Sequence, residues 1–194
     1  ISLDSDLDLH LKFRTPIIAS PMDTVSGVQM AIKISELGGI AIIHRYNSIE
    51  EQSSIIRKVK SASQRVGGAI GTSGDYLDRA ITLKNAGADF ICIDVAHGHH
   101  SMMRNAIFSI RDLFGPAMHI MAGNVATKEA FLDLQEWGAD SIRVGIGGGS
   151  ICSTRIQTGH GVPNITAIME CASVATKAKI IADGGIKNAG DIVK

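Results

Sequence analysis

The feature that most constrains the fold is a regular alternation of short β-branched runs with longer amphipathic stretches. Seven runs predict strands, at residues 16–20, 40–44, 68–71, 90–95, 119–122, 141–145 and 179–183. Between them, apolar residues recur at helical spacing, as at residues 27–37, 49–59, 76–86, 128–137 and 165–175. The alternation predicts an α/β fold, with a parallel sheet joined by right-handed helical crossovers.

Two architectures share this pattern, the open doubly wound sheet and the closed (β/α)8 TIM barrel. An open sheet gathers its ligand groups at one switch point, whereas a barrel carries them after many strands. Here polar and glycine residues follow nearly every predicted strand, at residues 20–23, 44–45, 94–97, 123–124, 145–152 and 183–185. The barrel is therefore favoured.

The sequence has 194 residues, which predicts one barrel domain over residues 1–194 with about seven β/α units. A closed barrel has eight strands and about 250 residues. We therefore expect the barrel to be incomplete at both ends of this sequence, with the last residues beginning a helix that Asn188 caps.

Charge and hydropathy exclude several classes of partner. The 19 Lys and Arg residues balance the 19 Asp and Glu residues, and no basic stripe is present to neutralise a nucleic-acid backbone. No apolar run approaches the roughly 18 residues of a membrane helix, and no signal-peptide pattern opens the chain. We expect a cytoplasmic protein that binds neither nucleic acid nor membrane.

The three cysteines must be considered separately, because an odd number without short paired spacing indicates neither disulfides nor a zinc cage. Cys92 lies in an apolar run and Cys171 in a helical stretch, where cysteine acts as a small buried hydrophobe. Cys152 instead lies in a glycine-rich loop at residues 145–155. An exposed thiol there is a candidate nucleophile in its thiolate form.

Two glycine-containing loops are candidate ligand sites. The loop around Cys152 fits a tight turn, a phosphate loop whose amides bind oxygen, or a cation site formed by carbonyls. At residues 183–185, a carboxylate is followed by two glycines. Asp183 could accept hydrogen bonds from ribose hydroxyls while the glycine amides bind phosphate, or this segment could be a turn with a solvated carboxylate.

The segment at residues 94–100 combines a carboxylate with three histidines, but adjacent histidines do not have metal-ligand spacing. Asp94 is better suited to a cofactor ribose, with His97 as a stacking face. Asn124 and Arg143, after the next two strands, could orient that layer or be structural polar residues. Met22 could fill the core or lie against a purine.

Taken together, these segments resemble the IMP dehydrogenase and GMP reductase family. The matching segments are residues 20–25, 43–45, 94–98, 122–125, 143–147, 149–155 and 182–186. They extend over nearly the whole chain, and their order and spacing make a chance match improbable. Three positions depart from the family pattern: Gly148 replaces Pro or Ser, Asn164 replaces Gln, and Arg45 replaces Lys.

The resemblance implies an oxidoreductase in which the Cys152 thiolate adds to purine C2 while a nicotinamide exchanges hydride with that carbon. It implies the following roles by position: Cys152 and Thr154 in catalysis; Ser20, Met22, Ser150, Asp183, Gly184 and Gly185 in nucleotide binding; Asp94, Asn124 and Arg143 near the cofactor, beside His97; and the Gly147, Gly149 and Cys152 carbonyls on a potassium ion. It also implies a purine nucleoside monophosphate ligand, IMP, XMP or GMP, and a homotetramer.

The family contains an NAD-dependent dehydrogenase and an NADPH-dependent reductase. Residues 57–60, 97–99 and 162–167 are similar to the dehydrogenase, whereas residues 121–124, 158–159 and 169–172 are similar to the reductase. Only a short connection joins Lys60 to Gly67, where most dehydrogenases carry a regulatory insert and reductases do not, so this feature favours the reductase unless the insert was deleted. We expect the dehydrogenase, with the reductase as the alternative. A catalytically inactive nucleotide-binding barrel is a second alternative, against which the intact Cys152 and Thr154 argue.

Overall fold

The structure is a computed structural model that describes residues 2–8 and 11–194. Its strands are β1 (Ser5–Asp6), β2 (Lys12–Phe13), β3 (Ile18–Ala19), β4 (Ile40–Ile43), β5 (Val66–Ile70), β6 (Phe90–Asp94), β7 (His119–Val125), β8 (Ser141–Val144) and β9 (Lys179–Ala182). Its helices are α1 (Val28–Glu36), α2 (Ile49–Ser61), α3 (Tyr76–Asn85), α4 (Ser101–Phe114), α5 (Lys128–Glu136), α6 (Thr154–Thr158), α7 (Asn164–Ala172) and α8 (Ala189–Val193).

Strands β3 to β9 form one parallel sheet in chain order, with helices between successive strands. The sheet curls so far that the residues after its two edge strands meet. Ser20, after β3, lies beside Asp183, after β9, with 3.4 Å between Oγ and Oδ1. Chain-order neighbours and a curled sheet are the features of a (β/α)8 barrel rather than of a doubly wound sheet. The predicted fold is confirmed as an incomplete barrel of this type.

The strand residues alternate between two hydrophobic layers, as a period of two requires. In β4, Ala41 and Ile43 belong to the layer shared with the surrounding helices, while Ile40 and Ile42 face the barrel interior. Phe90, Cys92 and Met121 share that interior. Because both faces are buried, these strands are read in the sequence as continuous apolar runs.

The β1–β2 hairpin packs against the interior at the amino ends of the strands. Leu7, Leu11 and Phe13 join the interior hydrophobic cluster. His119, at the start of β7, contacts Asp8 with 2.5 Å between Nδ1 and Oδ2. The hairpin therefore covers the end of the barrel opposite to the ligand loops.

Most sequence-predicted elements are present with shifted ends. Strand β3 begins only at Ile18, because Pro16 has no amide hydrogen and the Ile17 amide donates to the Thr15 carbonyl, whereas β7 runs to Val125. Helix α7 ends at Ala172, three residues earlier than expected. Asn188 caps α8 as predicted, by accepting a bond from the Asp191 amide. In the described part of the chain, no helix has both the length and the apolar content to cross a membrane.

Candidate active site

The candidate residues lie at or just after the carboxyl ends of five strands of the parallel sheet. Ser20 follows β3, Asp94 ends β6, Asn124 lies near the end of β7, and the loop with Cys152 follows β8. Asp183 follows β9. The strands of a parallel barrel all end on one face, so the fold brings together side chains that are far apart in the sequence.

Arg143 is the centre of the hydrogen-bond network on this face. Its Nη1 donates to Asp94 Oδ1 at 2.5 Å, and its Nη2 donates to Asp183 Oδ2 at 2.8 Å. Asn124 Nδ2 donates to the same Asp183 oxygen at 2.6 Å and to the Gly145 carbonyl at 2.8 Å. The Arg143 guanidinium thus joins Asp183, the carboxylate predicted to bind the nucleotide, to Asp94, the carboxylate predicted to bind the cofactor.

Arg143 reaches this position because Gly123 on the neighbouring strand leaves space for it. A Cβ at residue 123 would lie 2.7 Å from Arg143 Cβ, which is closer than van der Waals contact allows. Only 6% of Arg143 is exposed. Burial by itself opposes its charge, but Cys92, Asp183 and Asp94 around it raise the pKa of Arg143. Two carboxylates around one cation leave a net negative charge that suits hydroxyl donors of a ligand.

The three cysteines differ in their electrostatic environment. Burial raises the pKa of Cys92 to about 12 and that of Cys171 to about 11. Cys152 differs, because hydrogen bonds from the Thr154 side chain and backbone lower the pKa of its thiol. Gly147 and Arg155 act in the same direction. Among the cysteines, Cys152 has the thiol that is poised to become a thiolate.

Two of the three carbonyls expected to hold potassium accept hydrogen bonds from the protein. The Gly147 carbonyl accepts a bond from Arg155 Nη1 at 2.7 Å, and the Gly149 carbonyl accepts one from the Cys152 amide at 3.2 Å. A cation would compete with the Arg155 guanidinium for the Gly147 oxygen. Potassium could take this position only if the Arg155 guanidinium left the Gly147 oxygen.

A cavity of about 150 Å³ lies beside the end of β6. It is lined by Thr72, Val95, His97, His100, Met102 and Met103. Its imidazole and thioether side chains can contact a flat aromatic ring, and Asp94 lies next to it in sequence. Such groups are of the kind that contact the rings of a nucleotide. No group of His, Cys, Asp and Glu within residues 2–8 and 11–194 is arranged to hold a metal ion.

Some of the predicted site residues are connected by side-chain hydrogen bonds, and others lie in loops of the same face. Hydrogen bonds connect Ser20, Asp94, Asn124, Arg143 and Asp183. Met22 and Ser150 lie in the loops after β3 and β8, and His97 lies by the cavity.

Sequence reasoning did not assign roles to three further residues of this face. Arg45 Nε donates to the Asp94 carbonyl at 3.2 Å, Arg155 bonds to Gly147, and Asn164 bonds to the segment after β9. Arg45 directly follows a predicted strand, which is a signal for this face. Asn164 directly precedes a predicted helix, where an asparagine is ordinarily interpreted as the residue that caps the helix.

The fold and the site define a (β/α)-barrel with a thiol of lowered pKa above the carboxyl ends of its strands. The chain matches the IMP dehydrogenase / GMP reductase domain along residues 1–194, and it belongs to that family.

Several relatives are inosine-5'-monophosphate dehydrogenases. The chain is 38% identical to the one from Cryptosporidium parvum over 239 aligned positions. This alignment covers 100% of the chain and 59% of the relative. It is 37% identical to the one from Borreliella burgdorferi, with 100% and 61% covered. Against the Bacillus subtilis enzyme it is 53% identical over 131 positions, 66% of this chain and 27% of the relative. The chain thus spans less than two thirds of the length of these relatives.

Proposed function

We propose that the protein oxidises IMP to XMP with NAD, through a covalent intermediate between Cys152 and purine C2. The observation that carries the proposal is the contact between two segments of the ligand face. The loop with the thiol of lowered pKa packs directly on the segment with Asp183, with 3.1 Å between the Gly149 amide nitrogen and a Cβ placed at Gly184. A nucleotide held at the second segment would present its base to the first.

The nucleotide would be held by residues after β3, β8 and β9. The Asp183 carboxylate would accept hydrogen bonds from the ribose hydroxyls, which must compete with Arg143 and Asn124 for its Oδ2. The amides of Gly184 and Gly185 and the Ser20 and Ser150 side chains would bind phosphate oxygens. Met22 would lie against the purine.

Cys152 would act as the nucleophile. Its thiolate adds to C2 and forms the S–C2 bond, and hydride then leaves C2 with its electron pair. Water next attacks C2, the S–C2 bond breaks, and the thiolate returns as XMP and one proton are released. The Thr154 hydrogen bonds favour the thiolate in the free enzyme and again when it leaves.

The cofactor would occupy the side of the face near β6. A bound nicotinamide dinucleotide supplies the hydride acceptor. Asp94 would accept from its ribose, Arg143 and Asn124 would hold that carboxylate layer in place, and His97 would contact a ring. By family resemblance we also propose that the protein is a cytoplasmic homotetramer.

Steady-state assays of the full-length protein test this function. We expect IMP with NAD to give XMP and NADH faster than GMP with NADPH gives IMP. The opposite ranking would assign the reductase, which residues 121–124, 158–159 and 169–172 resemble. Turnover of neither nucleotide, with both still bound, would favour the catalytically inactive alternative.

A further inference from the structure

Asn164, the first residue of α7, lies between the two segments that would hold the thiol and the nucleotide. We call residues 145–153 the thiol loop and residues 183–188 the β9 loop. Asn164 Nδ2 donates to the Asp183 carbonyl at 3.1 Å and to the Gly184 carbonyl at 2.5 Å. The side chain thereby fixes the main chain of the β9 loop directly after its carboxylate.

The same amide fills space in the thiol loop. A Cβ at residue 148 would lie 2.6 Å from Asn164 Cγ and 2.7 Å from Nδ2. Real Cβ atoms do not approach other atoms so closely, because interiors are packed at van der Waals distance. Gly148 is therefore the residue that lets the Asn164 side chain enter. The two positions, both of which depart from the family pattern, form one contact.

The backbones of the two loops also touch without a side chain between them. A Cβ at Gly185 would lie 2.7 Å from the Gly148 carbonyl oxygen. A displacement of residue 148 is consequently transmitted to the β9 loop, both through this contact and through Asn164. Cys152 follows Gly148 by four residues in the same loop.

The Asn164 amide is not arranged for maximal stability. Its Oδ1 is buried and has no hydrogen-bond partner in the described part of the chain, and an unpaired buried acceptor destabilises a fold. The two loops therefore impose the position of Asn164, which is bonded to the β9 loop and packed on Gly148, at the expense of its own amide oxygen.

We propose that Asn164 is a positioning residue, which through Gly148 sets where the Cys152 thiol lies relative to a nucleotide bound at the β9 loop. The inference rests on the proposed function, because the distance that matters is the one from the thiol to purine C2. A misplacement of about 1 Å at a reacting centre can lower the rate about 100-fold.

The first test is a double-mutant cycle in the full-length protein. Asn164→Ala should lower kcat by about tenfold or more, because the thiol loop and the β9 loop lose their shared contact. The KM for IMP should rise by a smaller factor, since the Asp183 carboxylate keeps its bonds to Arg143 and Asn124. Gly148→Ser should lower kcat as well, because its side chain collides with the amide. The double variant Gly148→Ser/Asn164→Ala should recover about tenfold over Gly148→Ser, because the collision is removed. Gly27→Ser, at a position with open space around its Cβ, is the matched control.

The second test measures the thiol without turnover. Asn164→Ala should change the rate of Cys152 alkylation by iodoacetamide by about threefold or more at a fixed pH, and Gly27→Ser should not. If Asn164→Ala does not fold, Asn164→Ser takes its place in both tests.

The two hypotheses fail in different ways. If neither nucleotide is turned over but the alkylation rate still depends on Asn164 and on Gly148, the proposed function is wrong and the positioning role stands. If turnover is present, Asn164→Ala keeps kcat within about twofold, and the Gly148→Ser effect is not rescued, the positioning role is wrong and the proposed function stands.

Discussion

Arg143 Nη2 donates a 2.8 Å hydrogen bond to Asp183 Oδ2 while its Nη1 is bonded to Asp94. One buried cation therefore connects the carboxylate expected to bind the nucleotide with the carboxylate expected to bind the cofactor. A ligand that engages either carboxylate alters the hydrogen bonds available to the other. This relationship makes substitutions at Asp183 informative about both ligands.

Asp183→Asn should raise the KM for the nucleotide by about tenfold or more, because charge-assisted hydrogen bonds contribute about 1.5–3 kcal/mol each. The KM for the cofactor should change less. Steady-state kinetics with each substrate varied in turn measure both. Asp112→Asn, at an exposed position of α4, is the control. A raised KM for the cofactor with an unchanged KM for the nucleotide would mean that the two ligands are assigned in reverse.

Thr154→Val should raise the pKa of the Cys152 thiol, because the Thr154 side-chain hydrogen bond is the largest cause that lowers it. The rate of iodoacetamide alkylation follows the thiolate fraction, so its pH profile should move to higher pH in the variant. Cys92 and Cys171 contribute little, since burial raises their pKa values to about 12 and about 11. Thr82→Val on α3 serves as control. Identical pH profiles for the natural protein and Thr154→Val would show that Thr154 does not lower the pKa of the Cys152 thiol.

The buried His119 predicts that acid weakens the fold. Burial, the largest cause, lowers its pKa below 6.5, against the opposing effects of Asp140 and Asp8. The unfolded chain therefore takes up this proton first as the pH falls. The stabilisation is complete above about pH 6.5 and declines as the pH drops towards the folded pKa.

Urea unfolding at about pH 7.5 and about pH 5.5 measures this effect. The free energy of unfolding should fall more for the natural chain than for His119→Gln, which has no proton to gain. Equal losses in the two proteins would show that other groups cause the acid sensitivity.

Potassium should accelerate turnover relative to tetramethylammonium, as the family resemblance implies. Arg155 is expected to oppose it, because its Nη1 holds the Gly147 carbonyl at 2.7 Å. Arg155→Met should therefore reach half its maximal rate at a lower potassium concentration. Equal rates in both salts would contradict a cation at this loop.

Much of the barrel could be predicted from sequence because its strands are buried on both faces and its helices on one. The five helical stretches named from periodicity are present as α1, α2, α3, α5 and α7. The β1–β2 hairpin was not predicted, because two-residue strands carry no periodicity. Its role depends on tertiary contacts such as that between Asp8 and His119.

The site was predicted in outline but not in its connections. Glycines and polar residues after strands indicated Cys152, Asp94 and Asp183, since the position after a barrel strand has a general meaning. The bonds from Arg143 to both carboxylates depend on a side chain that spans neighbouring strands. Asn164 could not be assigned from sequence, because its partners lie 19 and 20 residues away in another loop.

The most direct test is the turnover of IMP with NAD by three variants of the full-length protein, each with one cysteine replaced by alanine. Cys152→Ala should lower kcat by about 1,000-fold or more while IMP still binds within about tenfold of the natural affinity, because only the covalent step is lost. Cys92→Ala and Cys171→Ala should remain active. Activity of Cys152→Ala comparable to that of the natural protein would contradict a covalent mechanism at this thiol.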